Sequence, residues 1–347
     1  MKEIAFKKNI IANYVGQAWI ALMSFAFIPL YVKYLGAEAY GLVGIFAMFQ
    51  VWFSLLDIGM TPTISREMAN LVSDKSRSKF AADLLRSVEI VAVLIGCVSS
   101  LGIWLCSDWL ASNWLQFEDL SNRTVANALG IMGMVAALRL LENVYRSSLI
   151  GLQRQVKLNI ILSVGAGLKG LGAVGILIWV SPTILAFFVW QSCISVFLIV
   201  CLSSLTYRVL LIPLRSPKFS VDALRRIKNF AGGVAVITLL SLMLTQVDKV
   251  VLSKVLSLEE FGYYSIANVV AGSLYLLINP INQALFPKFS ELVYQDKTAS
   301  LTKLFHQGSQ LITVLVGSAA VTLICFGPPI HKAWLQEEVI ALKVSPI

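Results

Sequence analysis

Residues 183–207 read TILAFFVWQSCISVFLIVCLSSLTY, twenty-five positions without one charged side chain. A helix rises about 1.5 Å per residue, and a bilayer hydrocarbon core is about 30 Å thick. Such a run is long enough to cross it. Eight further runs of similar length flank it along the chain. Together the predicted spans are Asn9–Val32, Tyr40–Met60, Ser87–Cys106, Val125–Arg146, Leu158–Val180, Thr183–Tyr207, Phe230–Lys254, Gly262–Phe286 and Gly308–Pro328. The spans around Arg139, Lys169 and Asp248 contain charges and are weaker by hydropathy alone. Over all 347 residues 57% are hydrophobic and 14% charged, against about 25% charged in a soluble domain. Mean hydropathy is +0.78. These features define an all-α polytopic membrane protein.

The loops set an orientation. With the N-terminus in the cytoplasm, twenty lysines and arginines fall on that side and five on the other: Lys33, Arg123, Lys254, Lys332 and Lys343. This is the positive-inside pattern, and it accounts for the net charge of +9 without nucleic acid. The basic start, Met1 to Lys8, precedes an apolar stretch too long for a signal-peptide core. Trp104, Trp109 and Trp114 suit an interfacial aromatic belt. Cys97, Cys106, Cys193, Cys201 and Cys325 form no C-x-x-C pair and read as small packing residues.

The chain repeats itself at offsets of 220 to 225 residues. Lys33-Tyr-Leu-Gly-Ala-Glu38-Ala-Tyr40-Gly41 matches Lys254-Val-Leu-Ser-Leu-Glu259-Glu-Phe261-Gly262. Pro62-Thr-Ile-Ser65 matches Pro287-Lys-Phe-Ser290, Asp74-Lys75-Ser76 matches Asp296-Lys297-Thr298, and Trp114-Leu-Gln116 matches Trp334-Leu-Gln336. The first unit holds six spans, an even number, so the two units run parallel about an axis along the membrane normal. Two-lobed transporters are commonly built this way. The expected organisation is a six-helix lobe over 1–207, a basic cytoplasmic linker over 208–228, and the first three helices of a second, incomplete lobe over 229–347.

The Tyr34-Leu35-Gly36 to Tyr40-Gly41-Leu42 segment, Gly151-Leu152-Gln153-Arg154 with Asn159, and Gln246-Val-Asp248-Lys249 followed by Phe261-Gly-Tyr-Tyr-Ser-Ile-Ala267 resemble the Wzx-type polysaccharide flippases. These belong to the multidrug/oligosaccharidyl-lipid/polysaccharide exporter superfamily. The resemblance implies a V-shaped transporter of twelve helices in the bacterial inner membrane. It would move undecaprenyl-pyrophosphate-linked oligosaccharide repeat units by alternating access, for O-antigen, capsule or exopolysaccharide. It also implies a polysaccharide polymerase and a chain-length regulator as partners beside the phospholipid bilayer, and no cofactor. Against that pattern the last three helices are lacking, which makes the chain a fragment or a reduced form in this reading.

A charge in hydrocarbon costs at least about 2.5–3.5 kcal/mol, so it should face a cavity or a partner. Lys169 falls near the midplane of its span, and Arg139 in the cytoplasmic half of its own. Such cations suit a diphosphate, the lysine as a mobile point charge and the arginine as a fork. Lys169 and Arg139 are therefore the expected headgroup contacts. Glu142, three residues on, lies on the same helix face as Arg139, so a structural pair between them is the equal alternative. Lys169 has no acidic residue within four positions and is flanked by Gly165, Gly167, Gly170 and Gly172, which permit close packing or a hinge. Gln246, Asp248 and Lys249 complete the substrate-binding candidates, although snorkelling or inter-lobe pairing fits Asp248 and Lys249 better. Asp57 reads as a cap or a partner of Arg66. Gln17, Asn143, Gln191, Asn279, Asn282 and Gln283 sit at membrane depth as sugar ligands or helix ties. Pro29 and Pro280 are expected to bend their spans.

Three other readings compete, one of them a truncated, non-transporting membrane protein. A drug or ion antiporter of the same superfamily would need a titrating membrane carboxylate. The first lobe is read as offering only Glu142 and Asp57, beside Arg139 and Lys169, and a cationic cavity suits an anionic lipid better. A membrane-embedded polymerase or ligase would need a large external loop with catalytic His, Arg or Asp, yet the longest such loop is short. His306 and His331 lack a nucleophile or metal-ligand neighbour at useful spacing. No enzyme activity and no metal are expected.

Overall fold

A computed structural model describes residues 2–57, 59–73, 78–210, 218–294, 297–336, 340 and 343–344. Among these residues there are ten α-helices. They are α1 (Lys2–Leu35), α2 (Ala37–Phe53), α3 (Met60–Ser73), α4 (Ser78–Asn113), α5 (Asn122–Gly151), α6 (Gln155–Trp179), α7 (Ile184–Leu210), α8 (Val221–Val255), α9 (Leu258–Tyr294) and α10 (Thr298–Leu335). A 3-10 turn, Ser54–Asp57, follows α2. Among the described residues eight helices are long and apolar enough to cross a membrane, and α9 carries the predicted span Gly262–Phe286. The fold is thus the all-α membrane architecture that the apolar runs predict. Exposed Val98, Leu105, Trp179 and Leu244 on these helices would be costly in water and are at home in lipid.

The helix α3 is the element the apolar runs do not announce. It buries Met60, Ile64, Met68 and Leu71, a stripe at helical spacing, against Leu84, Leu85 and Val88 of α4. Asp57 caps it. Its carboxylate accepts the Thr61 amide at 3.1 Å and the Thr61 hydroxyl at 2.7 Å. Arg66 pairs instead with Glu67, at 2.9 Å. Pro29 lies inside α1, which continues through it as one helix. In α10 the backbone breaks from helical geometry at Phe326, ahead of Pro328 and Pro329. Proline lacks the donor for the preceding turn and crowds the residue before it, so the kink falls there.

The chain separates into two compact units, Met1–Phe261 and Gly262–Ile347. In the first, α5 is the central post, packed on α4, α7, α3 and α2, while α6 packs on α1 and α7. Segments matched by the internal repeat come together here. Gly36 turns the chain at φ 82°, and Gly41 lies so close to the Leu258 carbonyl that any side chain would collide with it. Leu258 N–H donates to the Gln116 carbonyl at 2.6 Å. The Glu38 carboxylate accepts the amides of Glu118, Asp119 and Leu120.

Trp114 is tied into this corner rather than set in an aromatic belt. Its indole donates to Ser253 Oγ at 3.1 Å, and Lys254 lies over its ring. Trp104 and Trp109 remain exposed. The cysteines also differ from expectation. All five are free thiols, as expected, but Cys97, Cys106, Cys193 and Cys325 are exposed and Cys201 is half-buried where packing was expected.

Of the expected 208–228 linker, residues 211–217 lie outside the described set, as do Asp74-Lys75-Ser76 and Asp296 of the repeat. The linker's far end is fastened to α4. The Lys218 amide donates to Asp83 at 2.9 Å, and the Ser220 amide to Ser87 Oγ at 2.8 Å. In the second unit, Lys343 lies over the Tyr263 ring, and His331, Leu335, Ile340 and Val344 are buried.

Candidate functional site

Ser121 starts α5 by accepting the Thr124 amide on its hydroxyl. From there the helix runs through the middle of its unit and carries Arg139 and Glu142 three residues apart. On α6, glycines pack the helix closely on α1 and α7. Gly165 faces Leu198, Gly170 faces Phe27 and Gly172 faces Trp190, each leaving no room for a methyl group. Helices that approach this closely can place charged side chains within reach of one another.

The result is a three-charge cluster. Lys169 Nζ of α6 lies 3.9 Å from Glu142 Oε2, with the two side chains 16% and 12% exposed. That is an ion pair but too long for a hydrogen bond. Arg139 sits close enough to feel both: it repels Lys169 and is attracted by Glu142. Its Nε is buried without a hydrogen-bond partner, and so is Glu142 Oε2. Arg139 and Lys169 thus share one carboxylate, and the exposed Arg146 further along α5 also repels Arg139, so the cluster is net positive. A half-satisfied buried polar network costs more than a complete one or none. An entering anion would complete it.

Glu142, placed by helical spacing beside Arg139, in fact pairs with Lys169. Spacing along one helix shows Arg139 but cannot show a lysine arriving from the next. Lys169's lack of a nearby acid in sequence is therefore not isolation in space.

Two α7 side chains hold the Lys169 turn. The Trp190 indole donates to the Leu168 carbonyl at 2.9 Å, and Gln191 Nε2 to the Lys169 carbonyl at 3.4 Å. Gln191 was a candidate tie, whereas Trp190 was not singled out. Its signal was a tryptophan well inside a span. Another tie, Asn159 of α6, donates to Asn13 of α1 at 2.6 Å, and Asn13 donates to Gln155 at 3.1 Å.

Gln246, Asp248 and Lys249 stand apart from this cluster on α8, which packs against α2, α3 and α4. Gln246 is buried with Oε1 unpaired, while Asp248 is exposed. The side chains of Asn279, Pro280, Asn282 and Gln283 lie outside the described set.

One membrane carboxylate was missed. Glu89 of α4 is almost wholly buried, paired with Arg86 at 3.1 Å, and has the Tyr207 hydroxyl 2.7 Å from both its oxygens. It falls inside the predicted span Ser87–Cys106. Among the described residues no group of three or more His, Cys, Asp or Glu side chains is placed to hold a metal ion.

Multiple apolar helices around a buried, incompletely paired charge cluster define a polytopic membrane protein. A profile of the family described as polysaccharide biosynthesis protein matches residues 32–338, and the chain belongs to that family. Two curated relatives, from Salmonella typhi and Shigella flexneri, each described as "Putative O-antigen transporter", are 24% and 22% identical over 289 residues. Those alignments cover 81% and 82% of this chain but 64% and 66% of the relatives' lengths. Among solved structures, an inward-facing multidrug resistance MATE family transporter of the MOP superfamily superposes with a TM-score of 0.78. It is 15% identical over 94% of this chain and 75% of its own. An outward-facing MATE family structure gives 0.63 at 14% identity, over 99% and 76%. These similarities show the MATE/MOP transporter fold.

Proposed function

We propose that this chain forms part or all of a flippase for lipid-linked oligosaccharide repeat units of a surface polysaccharide. The carrying observation is the Arg139–Glu142–Lys169 cluster, a net positive, under-paired site inside a lipid-embedded unit. A pyrophosphate linking sugar to polyprenol is the anionic part that hydrocarbon resists most. Arg139 offers its unpaired Nε to a phosphate oxygen, and Lys169 moves from Glu142 to another. Alternating access then carries the headgroup across, and no bond is made or broken. The O-antigen descriptions of the relatives support this substrate class. The lysine and arginine bias supports a bacterial inner-membrane setting with the N-terminus in the cytoplasm. A polymerase and a chain-length regulator are the proposed partners that consume the flipped unit.

The test is deletion of the gene and complementation. Surface polysaccharide should be lost, restored by the native protein, and not restored by Lys169→Ala or Arg139→Gln proteins present at equal level. Normal flipping of a lipid-linked sugar by both variants would overturn the site assignment.

A further inference from the structure

We infer that α6 is a hinged helix, in which Gly167 and Gly172 let the turn carrying Lys169 swing while the indoles of Trp19 and Trp190 hold the carbonyls that the swing releases. This rests on the flippase reading for what Lys169 moves toward, and it adds the movement which that reading needs. Lys169 has to leave Glu142 for a phosphate, yet its backbone sits inside a membrane span.

One glycine of α6 has no packing role. Leu198, Phe27 and Trp190 fill the space at Gly165, Gly170 and Gly172, so the missing side chains there let those neighbours approach. Gly167 differs. A methyl group added to it would meet no atom within 4 Å. Glycine is the poorest helix former after proline, because it has the most backbone freedom to lose. At Gly167 no contact offsets that weakness. What remains is the freedom itself, two residues before Lys169.

The hydrogen bonds of α6 point the same way, independently of its glycine contacts. Bending a helix opens amide-to-carbonyl bonds, and a carbonyl left bare in hydrocarbon is costly. By the four-residue spacing of the helix, the Gly167 amide bonds the Ser163 carbonyl and the Gly172 amide bonds the Leu168 carbonyl. Each of these carbonyls has a second donor from another helix. The Trp19 indole of α1 donates to Ser163 at 3.1 Å, and the Trp190 indole of α7 donates to Leu168 at 2.9 Å. A tryptophan at membrane depth needs an acceptor, and one such contact would mean no more than that. Here two contacts, from two helices, fall on the acceptors of two glycine amides that bracket Lys169. Gln191 does the same for the Lys169 carbonyl, at 3.4 Å. When the glycine amides let go, neither carbonyl is orphaned. The helix can open on both sides of Lys169, and its outer half tilts relative to its inner half.

The test uses the protein in lipid nanodiscs, with spin labels on unnatural amino acids at Ile178 of α6 and Leu105 of α4, both exposed. The native protein should show two distance populations, and a polyprenyl diphosphate should enrich the second. Gly167→Ala should reduce the second population about fivefold, lower the transport rate about fivefold and leave diphosphate affinity within about twofold. Its thermal midpoint should not fall, since the methyl group has room and alanine favours a helix. Gly102→Ala, equally open but on α4, should change none of these. Trp19→Phe should act like Gly167→Ala, because it bares the Ser163 carbonyl only when the helix opens. Loss of a mere fastening would instead enlarge the second population. A single native population, transport unchanged in Gly167→Ala, or a second population enlarged by Trp19→Phe overturns the hinge and leaves the flippase reading standing. If the native protein neither binds the diphosphate nor flips a lipid-linked sugar, the flippase reading fails, and the distances in the two variants still decide the hinge.

Discussion

Two buried charge clusters in the same unit differ in how completely they are paired. Around Glu89 every requirement is met: Arg86 at 3.1 Å, the Tyr207 hydroxyl at 2.7 Å from both oxygens, and Tyr145 beside them. Arg86 also reaches out, its side chain half exposed. Around Glu142 the ion pair is stretched to 3.9 Å, and Arg139 Nε and Glu142 Oε2 have no hydrogen-bond partners. Both carboxylates are buried in helices of the membrane region. The first behaves as a fastening between α4 and α7. The second keeps binding capacity in reserve, the feature expected of a site that must accept and release an anion.

The sharpest way to break this contrast is to remove the reserve. Lys169→Ala combined with Arg139→Gln should reduce transport at least about 100-fold, equivalent to about 2.7 kcal/mol. The thermal midpoint of the purified protein should fall only modestly, because Glu142 is left without a cation but no satisfied hydrogen bond is lost. Transport is read as flipping of a lipid-linked sugar in proteoliposomes. A large drop in thermal midpoint would place this cluster with the fastenings.

The Glu89 cluster should respond in the opposite sense. Glu89→Ala leaves the Tyr207 hydroxyl and the buried part of the Arg86 charge without a partner, a loss of about 3 kcal/mol. Thermal unfolding in detergent should show it, while transport per folded molecule stays near native. Loss of transport at full stability would instead make Glu89 a working carboxylate and favour the antiporter reading.

A third variant separates the two cations from their shared anion. Glu142→Gln removes the carboxylate that competes with phosphate for Lys169. Binding of polyprenyl diphosphate should tighten about fivefold, or about 1 kcal/mol. Weaker binding would mean that Glu142 orients Lys169 rather than occupying it.

How much of this was legible depended on whether the signal lay along the chain or across it. The spans follow from apolar runs because hydrocarbon thickness fixes helix length. The stripe Met60, Ile64, Met68 and Leu71 that makes α3 was equally present in sequence but is masked by the neighbouring apolar run. The Arg139 and Glu142 pattern is local and was visible; the arrival of Lys169 from α6 depends on Gly170 and Gly172 meeting Phe27 and Trp190, which no local rule reports. Trp114 was misplaced for the same reason: its partner Ser253 is 139 residues away. Motif residues also proved structural where they can be followed. Gly151 lies against the backbone of Ser65, Gln153 takes a left-handed φ of 57°, and Asn159 ties α6 to α1.

The smallest expected effect concerns how the reserve is held in place. Trp190 donates its indole N–H to the Leu168 carbonyl, next to the lysine. Gln191 secures the following carbonyl. Trp190→Phe keeps an aromatic ring on α7, deletes the donor and withdraws the indole edge that lies against Gly172. A single hydrogen bond contributes about 1 kcal/mol, so the thermal midpoint should fall slightly. The Lys169 turn should loosen, and transport should fall two- to threefold. The informative quantity is the ratio between the two losses. Transport falling further than stability explains would mean that α7 positions Lys169 for its anion. Equal proportional losses would mean that Trp190 only packs, and that the Lys169 backbone is set by the glycine contacts alone.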